Sequence, residues 1–193
     1  MKKKSFTLVE VIVVVTVMGI VLPAFFTIFT TILRQQLKVF HLAEVKRQGD
    51  YVVTVLENTI RNNAYTIYSD TAGNNEICNI PSSLPGPTIQ AFKDQYKTLF
   101  TLVYASQNLT LTKFDVAPAP TLAFVSGQLN NTKVGITAFS LTCSRGSTLY
   151  SAPIIQLSFT ICYLSGAAAC ASGLDQASLT YQTNIKLRNF PTQ

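Results

Sequence analysis

Apolar residues fill the start of the chain and then thin into a helical pattern. Residues 11–33 contain 23 consecutive positions without an ionisable side chain. At about 1.5 Å per residue, a helix of this length crosses a hydrocarbon core of about 30 Å. From Arg34 onward, apolar residues recur every three or four positions, which is typical of a helix packed on one face. The pattern predicts one helix over residues 6–63 with a weak point at Gly49; the alternative is two helices separated near Gly49 and Asp50.

Beyond residue 63 the helical pattern stops, and short β-prone runs alternate with turn residues. Residues 73–75 and 81–87 are rich in Gly, Asn, Ser and Pro, so we expect an irregular loop region there, followed by a short helix over residues 88–93. In the last two β-prone runs, apolar and polar residues alternate, which indicates an antiparallel sheet with one covered face. The predicted strands are residues 98–105, 109–114, 121–125, 134–143, 154–164 and 179–187.

A helix followed by antiparallel strands predicts an α+β fold, in which the second half of the long helix covers the sheet. We divide the chain into a leader (residues 1–5), the apolar half of the helix (6–33), its amphipathic half (34–68) and a β-rich head (69–193). The apolar half is the predicted transmembrane segment.

The residues before the apolar stretch set its expected orientation. Lys2, Lys3 and Lys4 precede it, and by the positive-inside rule they hold this end in the cytoplasm. The head is then expected outside the cytoplasm. Two other interpretations of the same stretch are a cleavable secretory signal, cut after Ala24, and a plain signal anchor.

The composition narrows the range of functions. Of the 193 residues, 48% are hydrophobic and 12% are charged, which argues against a disordered chain. The net charge of +6 forms no dense basic stripe, so we expect no nucleic-acid partner. His41 is the single histidine, and a Ser-His-Asp triad, a multi-His zinc site or a Cys-His pair would have to use it. We therefore expect a solvated or packing role for His41, no enzyme activity, no cofactor and no metal site.

The cysteines fit an oxidising compartment. Cys78, Cys143, Cys162 and Cys170 are even in number, as expected for two disulfides in a region outside the cytoplasm. Four cysteines allow three pairings. We favour Cys162–Cys170 with Cys78–Cys143, because the first bridge would tie down the Ala-, Gly- and Ser-rich loop of residues 163–169.

Glu10 stands at the head of the apolar stretch, where a carboxylate deep in lipid costs about 2–3 kcal/mol. Glu10 either reaches the lipid headgroups or finds a positive partner inside a protein assembly. The sequence KKKSFTLVE over residues 2–10 resembles the class III leader of type IV pilins and type II secretion pseudopilins. The resemblance implies cleavage between Ser5 and Phe6, N-methylation of Phe6, and a functional role for Glu10. The family prefers Gly before the cut, where this chain has the small residue Ser5.

A cut after Ser5 would create a free ammonium on Phe6, four residues before Glu10. In a helical stack of subunits, Glu10 of one subunit could meet the Phe6 ammonium of a neighbour, and at low dielectric their attraction would offset the desolvation of both groups. Such a pair is better understood as setting register than as adding stability.

The resemblance also implies where the chain acts and with what. It implies a single-pass protein of the inner membrane with its head outside the cytoplasm, later assembled into a pilus or pseudopilus at the cell surface or in the periplasm. The implied partners are other pilin or pseudopilin subunits, a prepilin peptidase and a membrane assembly platform.

Two short stretches of sequence suggest which kind of pilin subunit the chain resembles, and two other functions compete with the pilin hypothesis. Residues 56–62 and 185–189 are similar to the larger minor pilins and the J-type minor pseudopilins, so we expect a minor or tip-proximal subunit. The alternative is a membrane-anchored extracellular binding domain that acts alone, which would keep Met1 and tolerate the loss of Glu10. An anchored enzyme is the third hypothesis. The sequence argues against it, because no nucleophile, base and orienting group can be assembled from these residues.

Overall fold

The computed structural model describes residues 7–78, 88–114, 126–146, 151–164, 170 and 177–188. Contacts divide the chain into two units, Met1–Phe40 and His41–Gln193. We call them the N-terminal unit and the C-terminal unit and describe each by itself. The division falls between residues 40 and 41, whereas the sequence pattern placed its boundaries at 33/34 and 68/69.

Helix α1 runs without interruption over Leu8–Asn63. The prediction of one helix is confirmed, and the alternative of two helices near Gly49 is wrong. The helix ends before the limit of the predicted amphipathic half (34–68), because Thr66–Tyr68 pairs with two other strands as β1. In the N-terminal unit α1 is the only regular element among the residues from Thr7 onward.

Nine strands follow α1 in the described part of the chain, and all of their pairings are antiparallel. They form a six-stranded sheet in the order β2-β1-β3-β4-β5-β6 and a three-stranded sheet in the order β7-β8-β9. The strands are β1 (Thr66–Tyr68), β2 (Glu76–Ile77), β3 (Ala91–Lys93), β4 (Leu99–Ala105), β5 (Asn108–Phe114), β6 (Gly127–Gln128), β7 (Val134–Ser144), β8 (Ile154–Tyr163) and β9 (Ser178–Lys186).

The α+β prediction is confirmed, but with two sheets in place of the single sheet that we expected. The helix predicted over residues 88–93 is wrong, because Ala91–Lys93 is β3 and lies between β1 and β4. Phe92 pairs with Phe100 of β4, and their rings stack at 5.2 Å. A six-residue run gains little as an isolated helix, so this buried cross-strand contact decides its conformation. The strand predicted over residues 121–125 and the loop at 81–87 lie outside the described residues.

One face of α1 supplies part of the hydrophobic core of the C-terminal unit. Its buried residues recur every three or four positions, as the amphipathic pattern predicted. The inward-facing residues of β8 and β9 belong to the same core, so their alternation is confirmed as the sign of a covered sheet face. The buried residues of α1 are Val45, Gln48, Gly49, Val52, Leu56, Thr59 and Ile60.

Gly49 is a point of close contact between α1 and β9. A Cβ atom on Gly49 would overlap the ring of Tyr181. That ring also stacks on Phe159 at 5.3 Å, and its hydroxyl lies within donating distance of the Lys46 carbonyl at 3.1 Å and of Asp50 Oδ1 at 3.0 Å. Burial and the adjacent Asp50 carboxylate raise the pKa of Tyr181 to about 12. Gly49 is therefore a packing position, and α1 continues through it without a break.

Because of the close approach at Gly49, we expect a substitution that normally stabilises a helix to destabilise this protein. Alanine favours a helix over glycine by about 1 kcal/mol, so Gly49→Ala would stabilise an open site. Here we expect it to lower the free energy of unfolding by about 1–3 kcal/mol, because the ring of Tyr181 must move. Urea denaturation of the full disulfide-bonded chain in mild detergent, followed by near-UV circular dichroism, measures the effect.

The control is the same substitution in a Tyr181→Ala background. With the ring removed, Gly49→Ala should become stabilising by up to about 1 kcal/mol, so the two backgrounds should differ in sign. Stabilisation by Gly49→Ala in the presence of Tyr181 would show that the ring does not occupy this position.

Candidate functional site

The surface of the N-terminal unit is apolar and uncovered. Every residue from Thr7 to Phe40 is exposed. The large apolar side chains from Leu8 to Phe40 keep 42–76% of their surface accessible. A continuous apolar surface of this size marks a site of contact with lipid or protein. We call the exposed surface of Leu8–Phe40 the apolar surface.

The polar groups within the apolar surface are satisfied by the helix itself. The hydroxyls of Thr16, Thr27, Thr30 and Thr31 donate to carbonyls three or four residues earlier, at 2.8–3.0 Å. Hydroxyls bonded in this way can enter an apolar environment without an unpaired donor. An 18-residue window of α1 reaches a mean hydropathy of 2.7, so the helix is long and apolar enough to cross a membrane.

Thr7 and Glu10 form the cap at the start of α1. The backbone N–H of Glu10 donates to the Thr7 carbonyl at 3.1 Å and lies 3.4 Å from Thr7 Oγ1. Thr7-Leu8-Val9-Glu10 therefore has both the sequence and the donor position of a capping box. Sequence reasoning missed this contact of the Glu10 backbone N–H, although the Thr-x-x-Glu spacing was visible.

The carboxylate of Glu10 has no cationic partner within the described part of the chain. Glu10 is exposed, and none of the ion pairs in the described part of the chain includes it. It lies in the first turn of α1, where the helix dipole favours a negative charge. Ser5 and Phe6, the predicted processing residues, lie outside the described residues.

At the start of the C-terminal unit, Glu44 ties α1 to the turn before β7. Its two carboxylate oxygens accept hydrogen bonds from Arg47 at 2.7 and 3.0 Å, and Asn131 Nδ2 donates to it at 2.9 Å. These hydrogen bonds, from Arg47 first and Asn131 second, lower the pKa of Glu44 to about 2. His41, one turn earlier, stacks on the Tyr163 ring at 4.0 Å, so it has a packing role.

Two disulfides fix the C-terminal unit. One joins Cys78, next to β2, to Cys143 of β7 and so links the two sheets. The other joins Cys162 of β8 to Cys170. This is the pairing that we favoured from the sequence. Among the residues that the structure describes, no group of three His, Cys, Asp or Glu side chains is placed to hold a metal ion.

The lowered pKa of Glu44 predicts an acid-dependent loss of stability. A depressed pKa stabilises the folded state above the ordinary value of 4.5, and this contribution is lost as the pH falls towards about 2. We therefore expect Glu44→Gln to flatten the fall in unfolding free energy between about pH 5 and pH 2. Chemical denaturation at several pH values measures the slope.

The matched control is Glu57→Gln, which removes a carboxylate that pairs with Arg61 of the same helix. The control lacks a hydrogen bond to a strand turn, so it should leave the acid dependence closer to that of the unaltered chain. Equal flattening by both substitutions would argue against a special role for the Glu44–Asn131 contact.

The comparison with known families matches the start of the chain. Residues 1–22 match the family described as the prokaryotic N-terminal methylation motif. Comparison with curated proteins and with solved structures gives no match. The matched residues include Ser5, Phe6 and Glu10, so the resemblance of this region to type IV pilins and pseudopilins is confirmed. The chain thus carries a prepilin-type signal of the type IV pilin and pseudopilin kind, at the head of a long apolar helix and an α+β C-terminal unit.

Proposed function

We propose that the chain is a structural, non-enzymatic subunit, a minor pilin or minor pseudopilin. In this proposal a prepilin peptidase cuts between Ser5 and Phe6, Phe6 is N-methylated, and the subunit is assembled into a type IV pilus or a type II secretion pseudopilus. The observation that carries the proposal is the coincidence of the methylation motif with an apolar surface that the chain leaves exposed from Leu8 to Phe40.

In this proposal the apolar surface lies first in the membrane and later against other subunits. Before assembly it would lie in the inner membrane as a single-pass anchor, which its length and its bonded threonine hydroxyls allow. After assembly the same surface would pack against the helices of neighbouring subunits. Because lipid tails and apolar side chains are similar solvents for such a helix, transfer between them carries a small apolar cost.

Glu10 would supply the specific contact in an otherwise uniform surface. Cleavage before Phe6 leaves an ammonium next to the Thr7 cap, and the exposed Glu10 carboxylate of a neighbour is its natural partner. Both groups lose water in a helical bundle, so the pair favours the one register in which they meet. The membrane assembly platform would act on subunits held in this register.

The C-terminal unit would lie outside the cytoplasm. Its two disulfides fit an oxidising compartment such as the periplasm or the cell surface. Its size and the similarity of residues 56–62 and 185–189 to larger minor pilins and J-type pseudopilins favour a minor or tip-proximal place. A membrane-anchored binding domain that acts alone is the competing proposal, and the same C-terminal unit would serve it.

The mass of the N-terminus after isolation from the native membrane tests the processing step. We expect a chain that begins at methylated Phe6 and lacks residues 1–5. A chain with Met1 intact would contradict the proposal and favour the lone anchored domain. A chain that begins near Phe25 would indicate a secreted protein in which Glu10 has no role.

Two substitutions at Glu10 separate the charge of the carboxylate from the rest of the side chain. Glutamine keeps the length of the side chain but carries no charge, whereas alanine removes the whole side chain, and both keep the backbone N–H that donates to Thr7. We expect Glu10→Gln and Glu10→Ala to be processed normally and to lower recovery in sheared filaments or cross-linked pseudopilus by about tenfold or more, the equivalent of about 1.4 kcal/mol.

Thr7→Ala is the matched control, because it removes the capping hydroxyl and keeps the carboxylate. It should be processed and should assemble nearly as well as the unaltered chain. If Glu10→Gln assembles normally, assembly does not need the charge of Glu10, and the pairing with the Phe6 ammonium is wrong.

A further inference from the structure

β9 is a long strand with one open edge. Among the residues that the structure describes, it ends the three-stranded sheet and pairs only with β8 over nine residues, Ser178–Lys186. The other outer strands among the described residues are β2 and β6, with two residues each, and β7. A long edge strand exposes a row of unpaired backbone groups that another strand can join.

The hydrogen-bond pattern shows which backbone groups point outward. The Tyr163 N–H donates to the Ala177 carbonyl at 3.0 Å, and β8 pairs with β9 in that same register. Hydrogen-bonded pairs alternate in an antiparallel ladder, so the odd-numbered residues of β9 bond to β8. The outward N–H and C=O groups belong to Ser178, Thr180, Gln182, Asn184 and Lys186, and none of the backbone bonds of the described chain uses them.

The edge of β7 is protected in ways that β9 lacks. The Ile136 N–H donates to the Gln107 carbonyl at 2.9 Å, and the Leu141 carbonyl accepts from the Ile89 N–H at 2.8 Å. Between these contacts the register shifts at a bulge, where Ala138 has a φ of 51°. Bulges, charges and prolines are the usual protection of an edge. Ser178–Ile185 contains no charge and no proline.

The charges at one end of β9 indicate the chemistry of a partner strand that would complement this edge. Lys186 and Arg188 are exposed and take part in none of the ion pairs of the described chain. The rest of the edge is neutral, so a partner strand that carries an acidic residue opposite this end would complement it. Only an extended polypeptide offers alternating backbone donors and acceptors along its whole length.

We propose that the open edge of β9 binds an extended segment of a neighbouring subunit as an added antiparallel or parallel strand, uncharged over most of its length and acidic near Lys186. The inference rests on the proposed function, because it takes the partner from the same assembly. It goes beyond that function by placing a second intersubunit contact in the C-terminal unit, separate from the apolar surface.

Paired lysine substitutions distinguish the edge of the sheet from its face. Gln182→Lys with Asn184→Lys places charges on β9, beside the outward backbone groups. Gln156→Lys with Ser158→Lys is the matched control, because these residues lie directly opposite on β8, line the same shallow depression of about 490 Å³, and leave the edge unaltered. We expect the β9 variant to lower recovery in isolated filaments or pseudopilus about tenfold and the β8 variant to stay near the unaltered chain.

Equal losses in both lysine variants would overturn the proposal, because they would place the contact on the sheet face. Normal assembly of the β9 variant would also overturn it. Gln182→Pro is the second variant, since it removes an outward N–H and no bond to β8. It should fold with both disulfides and should lose assembly as strongly as the lysine pair.

Amide hydrogen exchange gives a readout that needs no substitution. In the detergent-solubilised chain, the amides of Thr180, Gln182 and Asn184 should exchange faster than those of Leu179 and Tyr181. In the assembled form, the outward amides should slow by about tenfold or more. Unchanged exchange on assembly would overturn the edge contact.

The two proposals fail in different ways. If the unaltered chain keeps residues 1–5 and is absent from every filament, the proposed function is wrong and the edge contact falls with it. If the unaltered chain is processed and assembled while the β9 variants assemble equally well, only the edge contact is wrong.

Discussion

The structure depends on how the apolar residues of α1 are covered along its length. From Val45 to Ile60, α1 is apolar on one face only, and the strands of the C-terminal unit cover that face. From Leu8 to Phe40 its large apolar residues point in all directions, and the described chain covers none of them. A helix that is apolar all round is stable only inside lipid or inside a bundle. The same element is therefore a core helix in the C-terminal unit and an exposed apolar helix in the N-terminal unit.

Close contacts rather than bulk burial fix α1 in the C-terminal unit. The absence of a side chain at Gly49 lets the Tyr181 ring reach the helix backbone, where its hydroxyl lies near Asp50. One turn earlier, Glu44 holds Asn131 in the turn before β7. Both contacts join the helix to strands that are distant in sequence, so they select one rotation of the helix about its axis. Hydrophobic burial alone would tolerate small rotations, because it is not directional.

Elements with long hydrophobic patterns were predictable from the sequence. Short strands, and features that depend on contacts with distant residues, were not. The helix shows many periods of apolar spacing, and β8 and β9 each show several cycles of alternation, so their predictions hold. β1, β2 and β6 have only two or three residues and show no period at all. The strand at Ala91–Lys93 depends on partners on both sides, which a local pattern does not contain. The open edge of β9 follows from the strand order and from which of its residues bond to β8. Neither can be predicted from the alternation of apolar and polar residues.

The start of α1 shows how the sequence reading was incomplete in physical terms. From the sequence, Glu10 was considered for the cost of its charge in lipid and for a pairing with the Phe6 ammonium, but its backbone N–H also donates to Thr7 at the start of the helix. The positive end of the helix dipole favours a carboxylate in this turn and disfavours an ammonium just before it. On the proposed function, cleavage before Phe6 would place such an ammonium beside the positive end of its own helix. A carboxylate nearby offsets this unfavourable position of the ammonium, and on the proposed function the Glu10 carboxylate of a neighbouring subunit would supply it. In the proposed assembly the apolar surface would surround this pair, and the low dielectric there would strengthen the attraction between the two charges.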